Sequence, residues 1–301
     1  MKKLEKYINN SISDCTNKTI IITGANSGIG FEAMRIFVQK GAKVIMACRS
    51  FERANNAKEK VLSSFPNAKI DILEYDQASF ASIKIFSETI KNIPFDALIC
   101  NAGIFHPEKG KITKDGLPLT IGTNYIGLFY LIENIKDFLG ERKLILVSSI
   151  TYTHCKIKEY DFLRKETTSI FKQYSISKTC ITRYFAYLKN NSNLNIYLMH
   201  PGVSATNIFA SKTSSYKQWF KKLAMAILPL FVHSPKKASL GMVKLVSDAY
   251  PNHTFLGPRG LFQISGYPRI VKLKKNGYLN NELLYKKSKE LVTEVENNVK
   301  C

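Results

Sequence analysis

The sequence predicts an α/β fold built on a doubly wound parallel sheet, with helices on both faces. Up to residue 199, short β-branched runs alternate with segments of helical period, and strict alternation of this kind produces βαβ units. No stretch rich in Pro, Gly or Ser divides the 301 residues. We therefore expect a single domain over residues 18–301, preceded by an N-terminal extension at 1–17 and carrying a late insertion near 205–235.

The alternation defines each predicted element. The predicted strands are Thr19–Thr23, Lys43–Ala47, Lys69–Leu73, Ala97–Cys100, Lys143–Ser148 and Asn195–Met199, with a further short run at Thr254–Leu256. Helical spacing predicts Gly30–Lys40, Phe51–Ser64, Phe80–Lys91, Thr120–Phe138, Phe171–Lys189, Pro235–Ser247 and Asn280–Val299.

Composition indicates the class of protein and raises a question about charge. Hydrophobic residues make up 45% of the chain and charged residues 22%, which is typical of a soluble globular protein. The 44 Lys+Arg outnumber the 23 Asp+Glu, and the net charge of +21 would attract phosphorylated cofactors, nucleic acid or acidic lipids. Because the lysines are widely scattered, a compositional bias is favoured over a dedicated anion-binding surface.

Cysteine usage and the N-terminus predict the compartment. The six cysteines have no metal-ligand spacing, and Cys48 and Cys100 end runs that we interpret as buried strands, so a reducing compartment is expected. Residues 1–18 are basic but lack the apolar core of a signal peptide, and no stretch approaches the roughly 20 apolar residues of a membrane span. These features predict a cytoplasmic protein without a metal site.

The first strand runs directly into a glycine-rich turn. The turn reads Thr23-Gly24-Ala25-Asn26-Ser27-Gly28-Ile29-Gly30. Glycines between a strand and a helix let the backbone turn tightly and approach a pyrophosphate, with the helix N-terminus facing the negative charge. A plain strand–helix turn is the alternative, but the strand before it and the helix after it favour a dinucleotide site.

The residues after the second strand predict which dinucleotide binds. An acidic residue there would bind the ribose 2′-hydroxyl and repel a 2′-phosphate, whereas this chain has Cys48 and Arg49. An arginine at this position favours the 2′-phosphate, and so NADP(H) over NAD(H). The alternative is a solvated arginine at the start of a helix.

A Tyr-x-x-x-Lys pattern places two side chains on one helix face, where the ammonium is expected to lower the tyrosine pKa. The pattern occurs at Tyr152/Lys156, Tyr174/Lys178 and Tyr285/Lys289. Tyr152 follows a strand too closely for a helix to form, and Tyr285 lies in a highly charged segment after all the strands. Tyr174 opens an amphipathic helix that leads into Asn195–Met199, which we take as the last parallel strand, so we choose Tyr174/Lys178.

Seven motifs, in order, resemble the short-chain dehydrogenase/reductase family over roughly residues 18–300. They are Thr23–Gly30, Asp76, Asn101-Ala102-Gly103, Asn124 within Thr123–Gly127, Ser148-Ser149, Tyr174–Lys178 and Pro201-Gly202. Ala47-Cys48-Arg49, the long gap from Ser149 to Tyr174 and the segments Gly257–Phe262 and Gly266–Pro268 resemble its retinol dehydrogenase, WW-domain oxidoreductase and protochlorophyllide reductase branch, which is largely NADP(H)-dependent. The resemblance implies a Rossmann fold.

The resemblance also implies a catalytic tetrad and a cofactor site. Tyr174 would be the general acid in carbonyl reduction, and Lys178 would hold the nicotinamide ribose and lower the tyrosine pKa. Ser149 would bind the substrate oxygen, and Asn124 would complete a proton relay. The cofactor would contact Gly24, Asn26, Ser27, Gly28, Ile29, Gly30, Arg49, Asp76, Asn101, Ala102, Gly103, Tyr174, Lys178, Pro201, Gly202, Val203 and Thr206. Gln77 stands where the family has an aliphatic residue, and we expect this to affect only the packing of the adenine pocket.

The segment 211–247 is expected to cover the substrate, as a mobile lid does in the family that the chain resembles. It has seven lysines and no acidic residue, and it includes Trp219, Phe220 and Leu223–Val232. Its apolar and aromatic residues favour a lipophilic aldehyde, ketone or alcohol such as retinal. Its basic amphipathic character would also suit peripheral contact with an anionic membrane, the alternative being a lid packed on the core with solvated lysines.

Three functions are compared on these observations. An active NADP(H)-dependent oxidoreductase is favoured because all four tetrad positions are present. A catalytically idle NADP-binding regulatory protein on the same fold is the alternative, and no known motif supports a nucleic-acid binder. His154 and His200 invite catalytic roles, but His200 precedes Pro201 at a strand end and is interpreted as structural. The physiological substrate, the favoured direction and a homo-oligomeric state stay open.

Overall fold

The computed structural model describes residues 2–105, 109–153, 155–157, 160, 163–165, 169–203 and 234–299. Within these residues the chain forms a mainly parallel sheet. Its strands are β1 Thr19–Thr23, β2 Lys43–Cys48, β3 Ile70–Glu74, β4 Ala97–Cys100, β5 Lys143–Val147, β6 Ile196–Met199, β7 Phe255–Pro258 and β8 Pro268–Ile270. The predicted insertion at 205–235 lies outside the described residues except for its last two positions. The expectation that 211–247 covers the substrate is wrong for its last part, because residues 240–246 contribute buried side chains to the core.

The strands of this sheet lie in the order β3-β2-β1-β4-β5-β6-β7-β8, which confirms the doubly wound α/β fold. Neighbours from β3 to β7 pair in parallel, and β8 runs antiparallel to β7. The expectation that β6 is the last parallel strand is wrong, because β7 continues the parallel sheet. The edge strand β8 was not predicted, since it spans three residues and includes a proline and an arginine.

The helices flank the sheet and mostly match the predicted spans. They are α1 Lys2–Ser11, α2 Gly28–Gln39, α3 Phe51–Leu62, α4 Phe80–Lys91, α5 Leu119–Ile121, α6 Gly127–Ile135, α7 Ile170–Asn191, α8 Pro235–Ala238, α9 Leu240–Ser247 and α10 Asn281–Val299. The helix predicted over Thr120–Phe138 is interrupted, because Gly122–Ile126 is π-helical and Lys136–Phe138 is a 3₁₀ turn. A 3₁₀ turn also forms at Ile150–Thr153, where we expected no helix.

Two apolar layers, one on each face of the sheet, form the core. The consecutive side chains of β1 alternate between them, because neighbouring residues of a strand point to opposite faces. Ile20 and Ile22 pack in the layer beneath α1, α2 and α3, and Ile21 packs in the layer beneath α4, α6 and α7. All three isoleucines are fully buried. The continuous β-branched run that predicted this strand is therefore explained by burial on both sides.

The N-terminal extension is a helix packed on the domain. Ile8 and Ile12 are buried in the core layer on this face of the sheet, and Tyr7 stacks on Tyr267 with ring centroids 4.0 Å apart. Glu5 pairs with Lys236 of α8 at 2.5 Å. Across the part of the chain that the structure describes, no helix has both the length and the apolar character needed to cross a bilayer.

Candidate active site

The glycine turn joins β1 to α2 at the carboxyl edge of the sheet. Gly24 and Gly28 adopt φ angles of +68° and +58°, which favour glycine. A Cβ on Gly30 would lie 2.5 Å from the carbonyl oxygen of Gly24, so only glycine lets α2 approach the turn this closely. The side chain of Ser27 makes no cap hydrogen bond, which leaves the first N–H groups of α2 facing outward for an anion.

Hydrogen bonds join the carboxyl ends of β1 and β4 beside this turn. The hydroxyl of Thr23 accepts hydrogen bonds from the backbone N–H groups of Asn101 and Ala102 at 3.0 and 2.9 Å. The amide of Asn101 donates to the carbonyl oxygens of Thr23 and Gly24 at 2.9 and 3.3 Å. Asn101 therefore fixes the wall of the cleft at the point where the strand order reverses, as ligand sites in open α/β sheets require.

A cleft of about 300 Å³ opens between these two strand ends. Its lining contains the predicted residues Gly24, Asn26, Ser27, Gly28, Ile29, Arg49, Asp76, Asn101, Ala102 and Gly103. Gly30 lies behind the lining, where it packs against Gly24 and the amide of Asn101. Arg49 and Arg53 are both exposed at the β2 end of this cleft, where Ser50 caps α3 by accepting from the N–H of Arg53.

Asp76 and Gln77 form the side of the cleft that follows β3. A carboxylate oxygen of Asp76 accepts from the N–H of Ala78 at 3.1 Å, which fixes its orientation. The buried amide of Gln77 donates to the carbonyl oxygens of Thr123 at 2.7 Å and Ala102 at 3.2 Å and accepts from the hydroxyl of Tyr75 at 3.1 Å. The hydrogen bonds of Gln77 therefore join three segments of the cleft, which an aliphatic residue at this position could not do.

Asn124 lies in the π-helical segment and is fully buried. Its carbonyl oxygen accepts from the N–H of Ile104 at 2.7 Å, and its amide donates to the carbonyl of Ile104 at 2.9 Å. The same amide donates to the hydroxyl of Ser177 on α7 at 3.1 Å. Single-turn π bulges are frequent at functional sites, and this one points Asn124 at the helix that carries Tyr174 and Lys178.

Ser148 and Ser149, which follow β5, have different roles. Ser148 is buried, and its hydroxyl bonds to the carbonyl of Lys178 at 3.0 Å and the hydroxyl of Thr182 at 2.7 Å, which fastens α7 to the sheet. Ser149 instead hydrogen-bonds the phenol of Tyr174. The two hydroxyls of Ser149 and Tyr174 therefore converge on one point, as the motif predicts.

Lys178 reaches the same region from one turn further along α7. Its buried ammonium donates to the carbonyl of Val147 at 3.1 Å and lies 5.8 Å from the ring centroid of Tyr174. A Cβ on Gly103 would lie 3.5 Å from that nitrogen and 3.3 Å from the side-chain oxygen of Asn124. Asn124, Ser149, Tyr174 and Lys178 thus assemble beside the glycine-lined cleft.

Burial controls the ionisation of this pair. Burial raises the pKa of Tyr174 to about 12, and its hydrogen bond with Ser149 is the opposing influence. Burial lowers the pKa of Lys178 to about 8. The expected lowering of the Tyr174 pKa is therefore wrong for this structure, because burial of the phenol raises its pKa. The phenol consequently stays protonated at neutral pH, which is the form that donates a proton.

Pro201, Gly202 and Val203 follow β6 and continue the edge of the site. Gly202 has a φ angle of +75°, and a Cβ there would lie 2.3 Å from the carbonyl oxygen of Ile264. His200 is buried, with Nε2 bonded to the amide oxygen of Gln263 at 2.7 Å and Nδ1 accepting from the N–H of Gly202 at 3.3 Å. These bonds give His200 the structural position that was predicted. Thr206 and His154 lie outside the described residues.

Comparison with known proteins identifies the family. The family model described as short chain dehydrogenase matches residues 18–160. The chloroplastic short-chain dehydrogenase TIC 32 B of Brassica napus is 34% identical over 215 residues, which cover 65% of this chain and 67% of the relative. This chain belongs to the short-chain dehydrogenase/reductase family.

Other relatives of this short-chain dehydrogenase/reductase lie in the branch that the motifs indicated. The WW domain-containing oxidoreductase of Gallus gallus is 33% identical over 72% of this chain and 56% of its own length. The chain thus spans about half the length of the WW domain-containing oxidoreductases that it matches. Retinol dehydrogenase 14 of Mus musculus is 32% identical over 64% of this chain and 62% of the relative.

A solved structure supports the fold of the dehydrogenase/reductase over nearly its whole length. The crystal structure of an uncharacterised protein from Mycobacterium paratuberculosis superimposes with a TM-score of 0.72. The match covers 93% of this chain and 96% of that chain at 24% identity, and it shows the shared fold.

The two other Tyr-x-x-x-Lys pairs of this dehydrogenase/reductase are structural. Tyr152 is buried against Phe255, and its hydroxyl accepts from the N–H of Lys274 at 3.4 Å. Tyr285 stacks on Tyr187 with centroids 3.9 Å apart and donates to Glu133 at 3.0 Å. Of the three tyrosines, Tyr174 is the one whose phenol bonds the Ser149 side chain, so the choice of Tyr174 agrees with the geometry.

Several lining residues of the dehydrogenase/reductase cleft were missed by sequence reasoning. They are Ser50, Arg53, Tyr75 and Ile104, whereas Ala47, Cys48, Gln77 and Thr123 were named in the sequence analysis but not among the predicted cofactor contacts. Arg53 could have been found, because it stands four residues after Arg49 and in the first turn of a helix that Ser50 caps. Ile104 carries no polar side-chain signal of a site, since it contributes the backbone groups that bond Asn124. Thr123 contributes its carbonyl oxygen, which accepts from Gln77.

Proposed function

We propose that this protein is an NADP(H)-dependent oxidoreductase that interconverts a lipophilic carbonyl compound and its alcohol. The observation that carries the proposal is the convergence of Ser149, Tyr174, Lys178 and Asn124 beside the glycine-lined cleft. The cleft fits a dinucleotide, because a Cβ at Gly30 would collide with the turn and the N-terminus of α2 faces outward. The bound nicotinamide would supply or accept the hydride.

The side chains of the tetrad supply the proton chemistry. Tyr174 donates its phenolic proton to the carbonyl oxygen during reduction, and Ser149 hydrogen-bonds the same oxygen as its negative charge develops. Lys178 would hold the nicotinamide ribose hydroxyls with its ammonium, which lies within the protein next to Gly103. Asn124 holds the π-helical segment and α7 in register, so that a water beside it could return a proton toward Lys178.

Two arginines support the preference for NADP(H). Arg49 and Arg53 both line the β2 end of the cleft, and Cys48 stands where an acidic residue would select the unphosphorylated ribose. Guanidinium groups suit phosphate because they offer paired N–H donors in one plane. Asp76 is the single acidic residue in the described lining, and it lies on the far side, after β3.

The substrate class rests on the apolar composition of residues 211–234 and on the named relatives. That segment lies almost wholly outside the described residues, and its sequence includes Trp219, Phe220 and the run Leu223–Val232. A pocket covered by such side chains suits an apolar aldehyde or ketone. One relative is named a retinol dehydrogenase, which makes retinal a natural member of a test panel.

The proposal is tested by turnover with both nicotinamides. Purified protein is mixed with NADPH or NADH and a panel of apolar aldehydes that includes retinal, and nicotinamide absorbance is followed. We expect turnover with a kcat/KM at least about tenfold higher for NADPH, and Arg49→Ala should remove most of this preference. Lys60→Ala, which removes an exposed cation from α3 outside the cleft, should preserve it.

Two results would contradict parts of this proposal. Equal kcat/KM for the two nicotinamides in the unmodified protein would refute the role of Arg49. Tight NADPH binding without turnover of any aldehyde or alcohol would instead identify a catalytically idle nucleotide-binding regulator.

A further inference from the structure

The turn between β7 and β8 carries an unusual pair of side chains, Leu261 and Phe262. They are 78% and 76% exposed and are the most exposed large apolar side chains among the described residues. The two are adjacent in sequence, so they form one apolar tip. Single exposed apolar side chains are ordinary on soluble proteins, but a paired and protruding tip indicates a contact surface.

The tip is held by a firmly bonded turn. The N–H of Gly260 donates to the carbonyl of Ser265 at 2.7 Å, and the N–H of Gln263 donates to the carbonyl of Gly260 at 2.9 Å. Phe262 and Gln263 both have positive φ angles, 49° and 58°, which non-glycine residues adopt only where surrounding bonds impose them. The turn thus presents the two apolar side chains outward in a fixed arrangement.

The chain around this tip is strongly cationic. Residues 249–281 contain Arg259, Arg269, Lys272, Lys274 and Lys275 and no acidic residue. All five of these cations are exposed. Arg269 lies opposite Gly257 in the β7–β8 pair, and the N–H of Arg259 bonds to the carbonyl of Tyr267, so both arginines lie at the base of the tip. Lys237 adds a further cation 5.0 Å from the centroid of the Tyr267 ring.

The positive charge near the tip indicates which kind of surface the tip binds. A second copy of the chain would bring like charges together across a symmetric contact. The edge strand β8 is also short and carries Pro268 and Arg269, features that oppose strand pairing between chains. An anionic lipid surface complements both the apolar tip and the cations beside it. Its headgroups attract the cations, and its acyl boundary accepts Leu261 and Phe262.

We propose that the β7–β8 tip docks the protein on an anionic membrane surface, with Leu261 and Phe262 inserted and Arg259 and Arg269 on the headgroups. The tip lies outside the sequence segment 211–247, which was expected to cover the substrate. It is bonded to the edge of the active site, because the N–H of Val203 donates to the carbonyl of Ile264 at 2.9 Å and Gln263 bonds His200. Docking would therefore bring residues 200–203, which follow β6, close to the bilayer. The proposal stands whether or not the proposed reaction is correct.

Vesicle sedimentation with the full chain tests the tip directly. The unmodified protein should bind vesicles of phosphatidylcholine with phosphatidylserine much better than vesicles of phosphatidylcholine alone. Leu261→Ser/Phe262→Ser should lower the partition coefficient on the anionic vesicles at least about tenfold, because the inserted apolar area is lost. Arg259→Gln/Arg269→Gln should lower it by a similar factor, roughly tenfold.

Matched variants separate the tip from the general positive charge. Ile85 and Ile112 are 70% and 64% exposed elsewhere on the surface, so Ile85→Ser/Ile112→Ser removes comparable apolar area. Lys60→Gln/Lys69→Gln removes two exposed cations elsewhere. Both control variants should bind vesicles as the unmodified protein does, and melting temperatures of all variants should agree.

Three outcomes would overturn the proposal. Equal losses in the tip variants and the control variants would show that the net charge alone drives binding. Unchanged vesicle binding with a lower melting temperature of Leu261→Ser/Phe262→Ser would show that these side chains pack within this chain. Weaker binding of the tip variants to a fluorescent oligonucleotide, with vesicle binding unchanged, would assign the surface to nucleic acid.

Discussion

Lys178 shows how burial, rather than spacing, decides the electrostatics of a catalytic residue. The Tyr-x-x-x-Lys pattern places the two side chains on one helix face but contains no information on how much water each retains. In the structure the ammonium is buried and its described hydrogen bond is to the carbonyl of Val147. Desolvation therefore lowers the pKa of Lys178 from 10.5 to about 8 and raises that of Tyr174 from 10.0 to about 12.

This burial has a consequence for stability that depends on pH. Below about pH 8 Lys178 is charged in the folded and unfolded chains, so the full cost of burying the charge is present. Between about pH 8 and 10.5 the unfolded chain binds more protons, so the stability contributed by this group rises with pH. Tyr174 opposes this only above about pH 10, where unfolded tyrosine ionises and the folded phenol does not.

We therefore expect Lys178→Met to gain stability relative to the unmodified protein at neutral pH, by up to about 3 kcal/mol less the cost of the unpaired Val147 carbonyl. The gain should shrink as the pH rises toward 10, and urea unfolding of the cofactor-free protein at several pH values measures it. Lys189→Met, on the exposed end of the same helix, should show no such trend. A difference for Lys178→Met that stays constant with pH would contradict the assigned burial.

Among the elements, α1 and the π-helical segment were not predicted from sequence patterns. The parallel strands were predicted to within one or two residues, because β-branched runs buried on both faces leave a strong signal. Helix α1 was missed because its sequence, KKLEKYINNS, is mostly polar and its buried residues are few. The π-helical segment was missed because Gly122–Ile126 has the same apolar spacing as the α-helix around it.

The packing of α1 predicts a clear cost for one substitution. Ile8 is fully buried in the core layer beneath α1, α2 and α3, so Ile8→Ala should destabilise the protein by about 2–5 kcal/mol. Ile85→Ala, at a 70% exposed position on α4, should change stability by no more than about 0.5 kcal/mol. Denaturant unfolding measures both, and an Ile8→Ala cost as small as that of Ile85→Ala would show that the extension is not part of the folded domain.

For the whole molecule, the order of the strands decides where chemistry can occur. Because β1 lies beside β4 and β5 follows, the glycine turn, Asn101 and Ser149 all reach the same edge of the sheet. The tetrad residues and the glycine turn could be predicted from motif order. The role of Gln77 could not, since its partners are the carbonyl groups of Ala102 and Thr123 and the hydroxyl of Tyr75, brought together only by folding.

In the folded molecule the three Tyr-x-x-x-Lys pairs have different hydrogen-bond partners and therefore different roles. The phenol of Tyr174 bonds the side chain of Ser149, whereas the hydroxyl groups of Tyr152 and Tyr285 bond to parts of the structural framework. Tyr174→Phe and Tyr285→Phe each remove one hydroxyl group. Comparing their activities therefore separates a catalytic tyrosine from a structural one in the same protein.

That comparison is the most direct test of the proposed oxidoreductase. The kcat/KM with NADPH and the best apolar aldehyde is measured for the unmodified protein, Tyr174→Phe and Tyr285→Phe. A general acid typically contributes about 10²–10⁴-fold, so Tyr174→Phe should lose at least about 10²-fold while Tyr285→Phe keeps its activity. Turnover by Tyr174→Phe equal to that of the unmodified protein would contradict the account.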